Sequence, residues 1–354
     1  MTKLLDIPVW REDVYRAVDV LPELENLRGK SVLITGVTGL VCSAVVDILL
    51  EYNHGCEGND CIKIYAAGRS EEKTEKRFGK SGDGSYEFVY YDACDDLAFP
   101  SDIDYIIHGA SNADPAAIMG SPVSTLKANV IGMSNLLEYG SKNSTKRLLF
   151  VSSSEIYGRK DSLDPFSVDE YGYVDILNPR SSYPMGKRAA ETLCAAYAAE
   201  KGTDFVIARL GHIYGPTASE KDSRVSSAFA YRAARGENLV LLSDGKQIRS
   251  YCYCLDCATA ILKVLLCGNS GEAYNISNPM TVVSIRGLAE KMAEKAEVKL
   301  LFDNPTREET KAFNPMDNSS LDSSKLIALG WKGLFDLDTG IEHTIQIIRE
   351  MADQ

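Results

Sequence analysis

Ser31-Val32-Leu33-Ile34-Thr35-Gly36-Val37-Thr38-Gly39-Leu40-Val41-Cys42 is the stretch from which the rest of the chain can be read. Ser31–Thr35 is a short apolar run with the character of a buried strand, and Ala44–Tyr52 continues beyond the glycines as a helix. A strand–turn–helix of this kind needs small residues because its backbone must approach a pyrophosphate closely. The helix N-terminus beyond it offers unpaired N–H groups and the positive end of a dipole to the anion. Gly36, Gly39 and position 42 have GxxGxxG spacing, with Cys42 where a third glycine is usual. That glycine mainly lets the helix pack on the sheet, so a small thiol is tolerated at some loss of closeness. The turn residues Gly36, Thr38, Gly39, Leu40 and Val41 are therefore candidate dinucleotide contacts. The competing reading is a generic strand–helix turn.

Outward from this turn the pattern repeats. Ile62–Ala67, Tyr86–Tyr91, Tyr105–Gly109, Arg147–Ser152 and Phe205–Arg209 read as strands, with helices over Thr125–Ser141 and Lys187–Lys201. Such alternation predicts an α/β fold of the Rossmann type, a doubly wound parallel sheet covered on both faces. Residues 1–28 read as a helical extension and 29–215 as the dinucleotide-binding domain. Residues 216–354, with longer loops and shorter elements, read mainly as a smaller C-terminal α/β domain for substrate. There is no internal repeat.

The 354 residues carry a formal net charge of -12, which argues against a nucleic-acid partner but permits an anionic small molecule held by a few focused cations. No apolar run approaches the roughly 18 residues of a membrane span, and Met1–Trp10 carries no secretory signal. Nine cysteines then fit reduced thiols in a cytoplasm. Cys252, Cys254 and Cys257 cluster but lack a second ligand group, so they read as small hydrophobes and no metal is expected.

Two further features carry chemistry. The second strand ends Ala66-Ala67-Gly68-Arg69-Ser70, without the acid that commonly holds the adenosine ribose. Arg69 can grip a 2′-phosphate or stack on adenine, so the cofactor is NAD with NADP left open; a solvated arginine is the plainer alternative. Ser152-Ser153-Ser154-Glu155 ends a strand, and Tyr183 and Lys187, four apart, share a helix face. An ammonium beside a phenol favours the phenolate, which can take a proton from a sugar hydroxyl as hydride leaves, while a serine at the strand end orients that hydroxyl.

With these residues in view, the chain resembles the extended short-chain dehydrogenases/reductases, in the nucleotide-sugar epimerase/dehydratase group, and within it is most similar to UDP-glucuronate decarboxylases. The resemblance spans about 30 to 345 and is carried by His108–Pro115, Thr125–Gly132, Arg180–Tyr183, Gly186–Glu191, Ser223–Val225 and Asp244–Ser250. It implies Tyr183 as base, Lys187 as its partner and Ser153 as the hydroxyl-orienting residue. Asp92 and Ala93 would meet adenine, with Ala110, Ser111 and Asn129 also at the cofactor. Asn112, Arg180, His212, Arg224 and Val225 would meet a nucleotide-diphosphate sugar, and Arg249 its diphosphate or sugar. The resemblance also implies a homodimer through the two long helices, the second of which is rich in alanine.

The group oxidises a sugar carbon, usually C4, and its members differ in the fate of the ketone. Ser154 stands where related dehydratases carry an aspartate, which disfavours dehydration, and Ser154-Glu155 is similar to the decarboxylase pair. A 4-ketone makes a C5 carboxylate a β-keto acid; Glu155 can manage protons and Arg249 stabilise moving charge. Glu155 as a purely structural acid is the alternative. His212 replaces a usual asparagine, Ala117–Met119 lacks a nearby tyrosine, and Asn314–Lys325 lacks an expected arginine. These departures leave 4- or 5-epimerisation or ketoreduction open. A silent dinucleotide-binding regulator is the reading from another class, disfavoured because Ser153, Tyr183 and Lys187 are all present.

Overall fold

The computed structural model describes residues 3–81, 84–95, 97, 99, 102–306, 313–314 and 316–352. The stretches 1–28, 216–354 and 314–325 thus include positions outside the described residues. Seven parallel strands form the main sheet: β1 (Ser31–Thr35), β2 (Lys63–Gly68), β3 (Glu87–Tyr90), β4 (Tyr105–His108), β5 (Arg147–Ser153), β6 (Phe205–Leu210) and β10 (Glu272–Ile276). Their order, β10-β6-β5-β4-β1-β2-β3, reverses direction between β1 and β4, where an open α/β sheet leaves a crevice at its carboxyl edge. Every residue of β1 is buried, as a central strand covered on both faces requires. The Rossmann-type fold is therefore as the sequence pattern implies.

Helix α1 (Pro8–Asp19) precedes the sheet and packs on α2 (Cys42–Asn53) and on α8 (Cys254–Cys267). Fully buried Trp10 donates its indole N–H to Asp47 at 2.9 Å. Helix α5 (Pro122–Lys142) lies against α6 (Ser182–Lys201), which ends at Gly202 in the left-handed region with φ 69°. The close approach of these two helices occurs within one chain: a Cβ on Gly186 would stand 3.1 Å from that of Asn129.

Beyond β7 (His212–Tyr214) the chain builds a second small sheet around β9 (Ile248–Tyr253), which pairs with β7, β11 (Val282–Ser284) and β13 (Asn318–Ser319). Helix α8 and β10 then return to the main sheet, so the two layers are interleaved in sequence. Cys252, Cys254 and Cys257 are fully buried here in the apolar core, and burial pushes each thiol above its ordinary range. Among the described residues no helix is long and apolar enough to cross a membrane.

Candidate active site

The glycine turn is built for close approach. Gly36 has φ 72°, and a Cβ there would lie 2.8 Å from the Ala110 amide nitrogen. Gly39 N donates to Gly36 O at 2.9 Å, and Thr38 and Gly39 are exposed at the crest, with Leu40 buried and Val41 half-buried behind them. Cys42 takes the third position with its thiol in space that a Cβ on Gly109 would need. The glycine usual in the helix is thus replaced by one on the facing strand end. We expect Gly109→Ala to cost about 1–3 kcal/mol by overpacking. In a urea double-mutant cycle, Cys42→Gly should relieve much of that loss; additivity within about 0.5 kcal/mol would refute the pairing.

Buried polar atoms without partners line the same crevice. Ser111 Oγ and Asn129 Oδ1 have no hydrogen-bond partner among the described residues, although Asn129 Nδ2 donates to Thr125 O at 2.8 Å. Such atoms cost free energy unless a ligand satisfies them. Together with the turn they fit a dinucleotide. Ala110 N donates to Thr35 Oγ1 at 3.2 Å, holding the β4 exit against β1. Ala93 is buried, while Asp92 accepts from Cys94 N at 3.1 Å. Arg69 is exposed at the end of β2 and forms no ion pair among the described residues.

Tyr183 enters from the first turn of α6, five residues earlier than the expected helix start. Its phenol is buried and hydrogen-bonded to Ser153. Burial, aided by the Glu155 carboxylate, pushes it up to about 12, while Ser153, Arg224 and Arg180 pull the other way. Lys187 Nζ sits 5.8 Å from the Tyr183 ring centroid, donates to Val151 O at 2.7 Å and lies over Phe150. Burial lowers Lys187 to about 7, against the opposing pull of Cys42 and Glu191. Arg224 and Arg180 thus act on the phenol from outside α6, and Lys187 stands beside it on the same helix.

Glu155, in a short 3-10 helix (Ser154–Tyr157) capped by Ser153, is held by Arg180 through two bonds of 2.7 and 2.8 Å. Ser154 is buried beneath it. Arg224 is paired with Asp222, and Val225 opens α7 (Val225–Ala234) on the exposed side. Arg249, 2% exposed on β9, donates to Ile248 O at 2.8 Å and makes no ion pair among the described residues. Asn112 is half-buried on the β4 exit loop. Arg180 and Arg224 thus stand near Tyr183, and Arg224 and Arg249 near His212, an arrangement suited to anions in an acidic chain.

His212 lies near Arg249 and Arg224. Its ring packs edge-on against Tyr251 at 5.8 Å, and Nδ1 is buried without a partner among the described residues. Burial, then Arg249 and Arg224, lower it to about 3. The folded state therefore keeps His212 neutral while the unfolded chain takes a proton below pH 6.5. Stability should fall as pH drops from there toward 3, and His212→Asn should flatten that loss. Urea midpoints measured across this range check it; an unchanged pH dependence would count against it.

Sequence reasoning gave no role to two features. Asp114 caps α4 (Pro115–Gly120) and accepts from both N and Oγ of Ser223 at 2.6 Å, tying the β4 exit to the Arg224 loop. These residues are 109 apart, with no local signal linking them. Glu191 and Arg209 form a buried pair behind the site; here a signal existed, since Glu191 follows Lys187 by one helical turn.

Residues 32–277 match the model of the NAD dependent epimerase/dehydratase family. The chain is 30% identical over 338 residues to UDP-glucuronic acid decarboxylase 1 of Xenopus tropicalis, covering 95% of this chain and 75% of that one. It is 32% identical over 315 residues to UDP-glucuronic acid decarboxylase 3 of Arabidopsis thaliana, covering 88% and 86%. Among solved structures, UDP-glucose 4-epimerase of Thermotoga maritima with UDP-glucose superposes with a TM-score of 0.76 at 23% identity, covering 91% and 99%. The dTDP-glucose 4,6-dehydratase of Streptomyces venezuelae with NAD bound gives 0.75 at 22%, covering 90% and 97%. With a glycine turn on a parallel sheet and a Ser–Tyr–Lys cluster at its edge, this chain belongs to the NAD dependent epimerase/dehydratase family.

Proposed function

We propose that the chain is a nucleotide-sugar-modifying enzyme that oxidises its substrate at C4 and acts as a UDP-glucuronate decarboxylase. The observation that carries this reading is a buried phenol, bonded to Ser153 and beside Lys187, on which the Arg180 and Arg224 guanidinium groups act. A nicotinamide dinucleotide supplies hydride acceptance and return. Gly36, Thr38, Gly39, Leu40 and Val41 would hold its pyrophosphate, with Asp92, Ala93, Ala110, Ser111 and Asn129 along its length. Tyr183 takes the proton of the sugar hydroxyl, which Ser153 orients, and Lys187 stabilises the phenolate. Arg180, Arg224 and Arg249, with Asn112, His212 and Val225, bind the diphosphate and sugar. A C5 carboxylate becomes labile once C4 is a ketone, and Arg249 balances the charge that moves.

Serine at position 154 supports decarboxylation over dehydration, for no carboxylic acid stands there to protonate a leaving hydroxyl. Glu155 is committed to Arg180, which supports a role in holding that arginine as well as in proton management. The relatives named above as UDP-glucuronic acid decarboxylases support the substrate. The bound NAD of the dehydratase supports NAD. Exposed Arg69, with no acid at the end of β2, supports NADP as second choice. A homodimer is part of the reading, supported by exposed Val123, Leu126 and Ile131 along α5.

Incubation of the purified chain with UDP-glucuronate and UDP-glucose, with product masses, carbon dioxide and co-purified nicotinamide identified, tests the proposal. Loss of carbon dioxide from UDP-glucuronate supports it. Mass-neutral conversion would favour an epimerase, and no turnover of any sugar nucleotide would sink it.

A further inference from the structure

Behind the Tyr183–Lys187 face lies a polar network for which the proposed reaction has no use. Glu191 accepts from Ser152 Oγ at 2.5 Å and from Arg209 Nε and Nη2 at 3.1 and 2.7 Å. Both charged side chains are nearly inaccessible, at 3% for Arg209 and 10% for Glu191. Arg209 also donates to Tyr157 OH and Tyr171 OH, each at 3.1 Å, and to Val168 O at 2.6 Å. Tyr157 OH in turn donates to Asn275 Oδ1 at 2.5 Å. The network thus pins the end of β5 to α6, β6, β10 and the loop beyond the 3-10 helix.

A buried ion pair is weak evidence for stability, since its desolvation cost rivals its attraction. This one sits where geometry matters. Ser152 directly precedes Ser153, so fixing its hydroxyl on Glu191 holds the strand-end backbone that carries the next one. We propose that Glu191, clamped by Arg209, is a positioning residue: by holding Ser152 it sets the strand end that presents the Ser153 hydroxyl to Tyr183. The inference rests on the roles given above to Ser153 and Tyr183. Glu191 has a second effect through its charge, favouring the ammonium of Lys187 against burial. The groups facing that ammonium are Val151 O and the Phe150 ring from β5, Tyr183 and Glu191 from α6, Cys42 from α2 and His108 from β4.

Ser152→Ala in the full chain tests the geometry while leaving the Glu191–Arg209 pair intact. The expected result is a kcat lower by about tenfold, with KM and unfolding midpoint unchanged. A crystal structure of the variant should show the Ser153 hydroxyl out of hydrogen-bond reach of Tyr183. Glu191→Gln keeps an acceptor but removes the charge, so activity that needs the Lys187 ammonium should be lost at lower pH than in the wild type. Wild-type kcat with Ser153 in place overturns the proposal, as does a parallel fall of kcat, substrate affinity and stability, which marks a merely structural role. A superimposable pH profile for Glu191→Gln overturns the electrostatic part. If the wild type converts no sugar nucleotide, the functional reading fails and the Ser152→Ala structure alone decides this inference.

Discussion

Tyr183→Phe lowers kcat by about 10²–10⁴-fold, the span of a positioned general base, while KM for the sugar nucleotide changes little. The phenol oxygen is the only atom removed, and the ring stays buried against the same neighbours. Ser153 loses its partner, but its hydroxyl still caps the 3-10 helix by accepting from Glu155 N at 3.2 Å. Stability is therefore expected to hold within about 1 kcal/mol, since a buried hydroxyl pair contributes little net free energy. Steady-state kinetics beside a urea titration separate the two effects. Retained kcat would remove Tyr183 from the chemistry; collapse of the fold would make the rate uninterpretable as catalysis and contradict the expected stability.

The second large effect is on binding. Arg249→Met should weaken sugar-nucleotide binding by about 2–5 kcal/mol, the cost of deleting one partner of a desolvated charge pair. The same change should stabilise the free protein by about 1–3 kcal/mol. The opposite signs come from the geometry. Arg249 is buried with one carbonyl as partner among the described residues, and burial holds its guanidinium below the ordinary range, with only partial relief from Tyr251, Glu155 and Asp317. Without an anion it is a cost to the fold; with one it is an anchor. Arg180 and Arg224 already have carboxylate partners, so Met at either position should destabilise instead. Isothermal titration with UDP and urea unfolding of the same variant give both numbers. A variant that binds normally, or is less stable than the wild type, would refute this account of Arg249.

Much of this was legible in the chain itself, for physical reasons. Strands buried on both faces are short apolar runs, and β1 occupies Ser31–Thr35 as its sequence implies, with β2, β4, β5 and β6 within a residue of expectation. The start of α6 was less visible. The pattern reads as a helix over Lys187–Lys201, yet proline is well placed in a first helical turn, and the helix begins at Ser182. The residue types of the Ser–Tyr–Lys cluster and the spacing of the tyrosine and lysine were open to reading. Their electrostatics were not, because burial depends on packing. Lys187 lies low and Tyr183 high because each is enclosed, which no spacing rule reports. The compensation between Cys42 and Gly109 likewise joins residues 67 apart in sequence through one shared volume. The pairing of Glu155 with Arg180 joins a strand end to a helix start across a loop whose path had to be seen.

The most direct measurement is the absorbance of reduced nicotinamide on mixing the chain, loaded with its dinucleotide, with UDP-glucuronate. The account predicts a rise in the wild type that is absent in Tyr183→Phe, accompanied by carbon dioxide. Product formation by the wild type with no reduced nicotinamide at any time, and at an undiminished rate in Tyr183→Phe, would contradict it.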